Sequence, residues 1–331
     1  MQRAIPAGFR GGRPSSPRAR AHLALLGHVV LWGSVGIAVK VAERDGMPPI
    51  TLALLRCLVA ALVLLPLVYR SGDRPALGRG PAVLGLTGSA LFYTLYNEAM
   101  RFSTVDNAMM FRAVVPAITL VLAAALLHEA LGRRRVIGTL LSIGGLAGLV
   151  LIDSETGLEF SALGDLLMLG AYVGLAVYNV AGRRVFAGQN LLAVVAGSSL
   201  YGALFLAPAA GLELARNGAD SLWRVPWEEA ALVLYLGAGC TALGLVLLGV
   251  GLQQLGAGEV AVFGNLIPIV AIALAAIFLG ETMGATEIAA GVVITAGIWL
   301  ASSSPRAEPA TNSARQAAST SSPLPEPGAA D

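Results

Sequence analysis

The chain has 331 residues, 56% of them hydrophobic and only 13% charged, with 40 glycines, a net charge of +2 and a mean hydropathy of +0.74. Soluble domains carry about a quarter charged residues, so this composition excludes one and points to a polytopic membrane protein. The two cysteines, Cys57 and Cys240, lie in apolar runs with no Cys or His at metal spacing, which excludes a disulfide framework and a zinc site.

Residues 1–21 form a basic tail with Arg3, Arg10, Arg13, Arg18 and Arg20 and no acid. The apolar run from His22 to Val41 is long for a cleavable signal and lacks a small-x-small site before Glu43, so it reads as a retained first span anchored in the cytoplasm. An organelle transit peptide is the alternative. Runs of about twenty apolar residues, enough to cross a hydrocarbon core, then follow one another. The spans are 22–41, 50–69, 81–100, 104–127, 136–152, 162–181, 190–211, 230–251, 260–280 and 286–302. The expected fold is an all-α integral membrane protein of ten transmembrane helices; continuous rather than alternating apolar runs exclude a barrel. Residues 303–331, rich in Ser, Ala and Pro, form a disordered tail. Gly144-x-x-x-Gly148 and Gly170-x-x-x-Gly174 offer close helix crossings.

The chain repeats itself. The stretch from Thr104 to Gly148 recurs in degraded form from Phe263 to Leu300, and a shift of 152 lays Pro116 on Pro268, Glu129 on Glu281 and Gly132 on Gly284. Orientation follows from the basic residues, which short loops hold on the cytoplasmic side. With the N-terminus inside, the inside segments hold the tail arginines, Arg70, Arg74, Arg79, Arg133, Arg134, Arg135, Arg183, Arg184, Arg306 and Arg315, fifteen of the 22 basic residues. Both termini are then cytoplasmic. Because five is odd, two five-helix halves, 22–152 and 162–302, enter the membrane in opposite senses as an inverted repeat.

The ten spans, Trp32-Gly33-Ser34 with Lys40 in the first span, and the twin Pro-x12-Glu-x2-Gly stretches resemble the EamA family of the drug/metabolite transporter superfamily over residues 22–302. Span six departs from the family in having Leu175 where a Trp is often seen, and the tails are longer than the family core. The resemblance implies a secondary transporter in the plasma membrane, and a structural or gating role for Glu129 and Glu281. It leaves the solute open.

Polar groups inside a bilayer are costly and usually face a cavity or a partner. The candidates for a solute cavity are Trp32, Tyr93, Asn97, Glu98, Arg112, Tyr178, Asn179 and Asn265. Glu98 is also a candidate proton or cation site, and Arg112 biases the cavity towards anionic solutes. Arg56 reads as a structural ion pair or an interface residue. Pro116 and Pro268, each in mid-span, kink their helices and mark the level of the site. Glu129, a carboxylate at a helix C-terminus, needs a compensating partner, which Arg133 to Arg135 can supply.

No Ser/His, paired Asp or His-x-x-x-His set lies within a span, and no Gly-x4-Gly-Lys-Ser/Thr loop is present, which argues against an intramembrane enzyme and an ATP-driven pump. The expected function is alternating-access export of small metabolites, amino-acid-like solutes or drugs, with an intramembrane enzyme, receptor or scaffold as the alternative. No metal, cofactor or nucleic acid is expected. The expected partners are the solute and the bilayer; coupling to protons or another ion, and a homodimer, are open.

Overall fold

The structure, a computed structural model, describes residues 17–44, 46–102, 105–129, 131–153, 161–217, 227–279 and 284–303, and every regular element among them is helical. Helix α1 (Pro17–Arg44) opens on a proline, which suits a first turn whose N–H groups have no helical partner. It therefore begins inside what the sequence assigned to the tail. α2 (Pro49–Arg70) opens the same way, and its free N–H groups are capped from a distance: Glu213 accepts from the Ile50 and Thr51 amides at 3.2 and 2.7 Å. α3 (Arg79–Gly85) continues through a π segment, Leu86–Leu91, into α4 (Phe92–Met100).

α5 (Val105–Leu127) continues through Pro116, and α6 (Arg133–Asp153) follows a turn in which His128 takes a left-handed φ of 56°. Gly132 thus stands at the start of α6, and its carbonyl accepts from the Val136 amide at 3.1 Å. α7 (Ala162–Val185) is capped by Ser161, whose hydroxyl accepts from the Gly164 amide, and ends on Arg183 and Arg184, the favourable sign for a helix C-terminus. α8 is Leu191–Asn217.

α9 (Trp227–Leu234) runs through a second π segment, Tyr235–Leu243, into α10 (Gly244–Gln254). α11 (Ala257–Phe263) and α12 (Leu266–Leu279) divide the expected ninth span at Gly264 and Asn265, and α13 (Ala285–Ser302) is preceded by Gly284. The break corrects the reading of Pro268. It sits in the first turn of α12, where its missing N–H costs nothing, rather than in mid-helix. Glu281 and residues 304–331 of the C-terminal tail lie outside the described residues.

Seven described helices are long and apolar enough to cross a membrane, and Phe111–Leu127 and Ile288–Ser302 are shorter apolar helices. Their outward faces are apolar as well: Leu62, Ile152, Ile277, Val292 and Trp299 are each more than 60% exposed. Apolar exposure on this scale is unfavourable in water and favourable against lipid.

Inside, small residues set the distances. Where α6 crosses α13, a Cβ on Gly138 would stand 2.5 Å from the Gly297 carbonyl and one on Gly297 would stand 2.6 Å from the Ser142 amide, so only glycine permits backbone-to-backbone contact. Gly170 and Gly174 likewise face α4 and the first π segment, but Gly144 and Gly148 have nothing within 4 Å of a Cβ. That second pair, expected as a crossing, points away from the other helices because the α6 seam follows Gly138 and Gly145.

Candidate functional site

A cavity of about 60 Å³ lies where α1, α5, α7, α10 and α11 converge. Each helix offers it one face, at helical spacing: Leu25, His28 and Trp32 from α1, Arg112 and Val115 from α5, Leu175, Tyr178 and Asn179 from α7. Leu245 and Leu248 come from α10, Phe263 from α11, Gly264 and Asn265 from the break, and Ile267 from α12. The first π segment contributes Gly88. A Cβ there would stand 2.3 Å from the Tyr178 ring, so glycine is what lets the tyrosine lie against that backbone.

The charge of the described walls is one-sided. Trp32 Nε1, Arg112 Nε and the Tyr178 hydroxyl are buried without a hydrogen-bond partner among the described residues, although the Arg112 guanidinium faces the Tyr172 hydroxyl. Asn265 Nδ2 donates to Ser142 Oγ at 2.9 Å. His28 Nδ1 lies 2.8 Å from the Gly244 carbonyl, which can only accept, so Nδ1 carries a proton and donates it. Among the described residues of the lining Arg112 is the one charged side chain, and none is a carboxylate. Such a site offers donors and a positive charge, and suits a solute with an anionic or strongly accepting group.

Five of the eight expected cavity residues are therefore brought together: Trp32, Arg112, Tyr178, Asn179 and Asn265. The other three are not among the walls. The Tyr93 ring lies under Arg56, with the guanidinium carbon 5.1 Å from its centroid. Asn97 is half-buried on α4. Glu98, 40% exposed, pairs with Arg101 at 3.0 Å one turn on, because it occupies the last turn of α4 at the helix end rather than its middle. Arg56 corrects a second expectation. It is 2% exposed, yet its partners are the Tyr93 ring and Thr241 Oγ1 at 3.3 Å, with no carboxylate among the described residues.

One buried acid that sequence reasoning missed is Glu259, 3% exposed at the start of α11. It pairs with Arg18 at 3.1 Å and His22 at 3.0 Å, and the His22 ring stacks on Phe263, a cavity wall, at 5.5 Å. Beside it, Glu129 pairs with Arg135 at 3.3 Å and accepts the Ala257 amide at 2.9 Å. A Cβ on Gly256 would stand 2.5 Å from the Glu129 carboxylate, so glycine admits it. These contacts tie α1, α5 and α6 to the N-terminal end of α11 and close the bundle beyond Phe263. The compensating arginine expected for Glu129 is Arg135. Glu259 was hidden because the apolar run had been started at Val260, leaving the glutamate in a loop. His28 was legible as the residue one turn before Trp32.

The family model described as the EamA-like transporter family matches residues 19–151 and 162–303. The chain is 30% identical over 289 residues to a probable amino-acid metabolite efflux pump of Salmonella typhimurium, covering 86% of this chain and 94% of that one. It is 27% identical to a probable terminal-alkyne amino-acid exporter of Streptantibioticus cattleyicolor, covering 85% and 93%. A solved crystal structure superposes with a TM-score of 0.72 at 22% identity, over 90% of this chain and 98% of that one, a likeness of fold.

Proposed function

Because the chain belongs to the EamA-like transporter family and is a multi-pass membrane transporter, we propose that it exports a small amino-acid-like metabolite bearing an anionic group. The observation that carries this reading is the cavity wall, which among the described residues has Arg112 as its charge, unpartnered Trp32 and Tyr178 donors, and no carboxylate. The names of the two relatives support the solute class and the direction.

The carrier works by alternating access between two inverted five-helix halves, 22–152 and 162–302, ten spans in all. Several features support this. The family model matches the chain twice. A π segment interrupts the third span of each half, at Leu86–Leu91 and Tyr235–Leu243. The 152-residue register that pairs the prolines also pairs Arg112 with Gly264 and Val115 with Ile267, and all four line the cavity. At about 60 Å³ the cavity is well below the roughly 300–1,000 Å³ of ligand pockets. Solute entry therefore requires the halves to part, and the Glu129 and Glu259 clusters are the contacts to be released on one side. Both termini face the cytoplasm across the plasma membrane, on the distribution of basic residues.

Counterflow in proteoliposomes with a pooled library of metabolites, read by mass spectrometry, tests the reading. Amino-acid-derived anions should exchange across the bilayer with unchanged mass, and Arg112→Gln should weaken their exchange more than that of uncharged solutes. Exchange confined to cations, or a change in solute mass, would overturn it.

A further inference from the structure

A second cavity, of about 310 Å³, lies away from the solute site between α3, α5 and α7. Its walls are aliphatic: Val83, Leu122, Leu126, Val177, Val180 and Ala181. Val83 and Leu126 are 38% and 51% exposed, so the cleft opens sideways onto the surface that faces lipid. From Val177 to Val185 the lining runs for two turns of α7, about 12 Å at 1.5 Å per residue.

Both cations of the lining stand at the same end. Arg79 is the first residue of α3 and Arg184 the penultimate residue of α7. Arg184 donates to the Leu126 carbonyl, one of the last-turn acceptors of α5 that no helical N–H reaches. That bond holds the guanidinium at the mouth of the cleft and leaves its other N–H donors without a partner among the described residues. Among the described residues neither arginine has a carboxylate within ion-pair distance.

We propose that this cleft binds one anionic phospholipid, with an acyl chain between α3, α5 and α7 and the phosphate on Arg79 and Arg184. The two parts of the ligand follow from the two parts of the site. An aliphatic wall offers a polar solute no hydrogen bonds, whereas a chain of methylenes satisfies it. Two uncompensated guanidiniums at helix ends, where headgroups lie, favour a net negative headgroup over a zwitterionic one, as basic pockets between membrane helices do. The lipid lies across a seam, since α3 and α5 belong to the first stretch matched by the family model and α7 to the second.

Native mass spectrometry of the full chain in detergent, titrated with phosphatidylglycerol or with phosphatidylcholine of the same acyl chains, is the test. One phosphatidylglycerol should be retained preferentially. An arginine near an anionic headgroup contributes about 1 kcal/mol, a factor of about five. Arg79→Gln and Arg184→Gln should therefore each lower phosphatidylglycerol occupancy about fivefold, and the double variant about thirtyfold, with phosphatidylcholine unchanged. Arg184→Lys should keep part of the preference. Ala181→Phe, which fills the cleft, should lower retention of both lipids. All variants are compared as monodisperse, helical preparations. Equal retention of the two lipids, a double variant that keeps the wild-type preference, or equally tight binding of glycerol phosphate without acyl chains would overturn the proposal.

Discussion

Replacing Gly138 by alanine inserts a methyl group 2.5 Å from the Gly297 carbonyl and 2.5 Å from the Ala301 amide nitrogen. Both obstacles are backbone, so no rotamer change relieves them, and α6 and α13 must move apart along their crossing. A gap of about 0.5–1 Å already forfeits a quarter to a half of the dispersion contacts it opens, and overpacking of this kind costs about 1–3 kcal/mol. Against this, alanine is the better helix former by about 1 kcal/mol. Gly144→Ala, on the same helix with nothing within 4 Å of its new methyl, gains the propensity without the clash. The gain is common to both variants, so the gap between them, about 1–3 kcal/mol, measures the clash alone. Thermal or denaturant unfolding in one detergent should rank Gly144→Ala above wild type and Gly138→Ala below Gly144→Ala. Gly297→Ala should resemble Gly138→Ala, and the two together should be less than additive, because they open the same crossing. A Gly138→Ala protein as stable as Gly144→Ala would refute the reasoning.

Glu129→Gln keeps an acceptor for the Ala257 amide but leaves the buried Arg135 without its carboxylate; a loss of about 1–3 kcal/mol is expected, and more for Glu129→Ala, as read by thermal unfolding. Arg56→Met removes a charge that has no carboxylate partner among the described residues, so the unfolding midpoint should hold or rise; a fall worth more than about 2 kcal/mol, the strength of a desolvated cation–π contact, would reveal a counter-ion. Arg112→Gln should weaken binding of an anionic solute about tenfold or more, the worth of a hydrogen bond to a charged group, measured as the half-saturating concentration in counterflow. Glu98→Gln, which alters only an exposed ion pair, should leave transport and its pH dependence unchanged.

Length and hydrophobicity made the helices legible, because twenty apolar residues have few other places to go. The register of Pro116, Glu129 and Gly132 on their later counterparts was legible because it rests on residue identities at one fixed shift. Which face of a helix meets another was not. Gly144-x-x-x-Gly148 has the spacing of a crossing and lies on the wrong side of α6, whereas Gly138 meets Gly297, a neighbour that α6 itself gives no sign of. The acids show the same limit: Glu98 and Glu259 look alike beside apolar runs, and only the fold puts one next to Arg101 and the other under Arg18 and His22. Arg56 drew the expectation of an ion pair because charge is the usual remedy for charge, and found an aromatic ring instead. The π segments leave no mark in composition, since each depends on a single residue accommodated within an otherwise regular helix.

The bond from Arg18 to the Ser302 carbonyl, 2.9 Å long, joins the first turn of α1 to the last turn of α13. Two groups in contact cannot lie on opposite sides of a bilayer about 30 Å thick. The number of crossings between them is therefore even, whatever path the chain takes through the segments that connect the helices. On the proposed topology that shared side is the cytoplasmic one, and reporters placed before Arg18 and after Ser302 should read the same side.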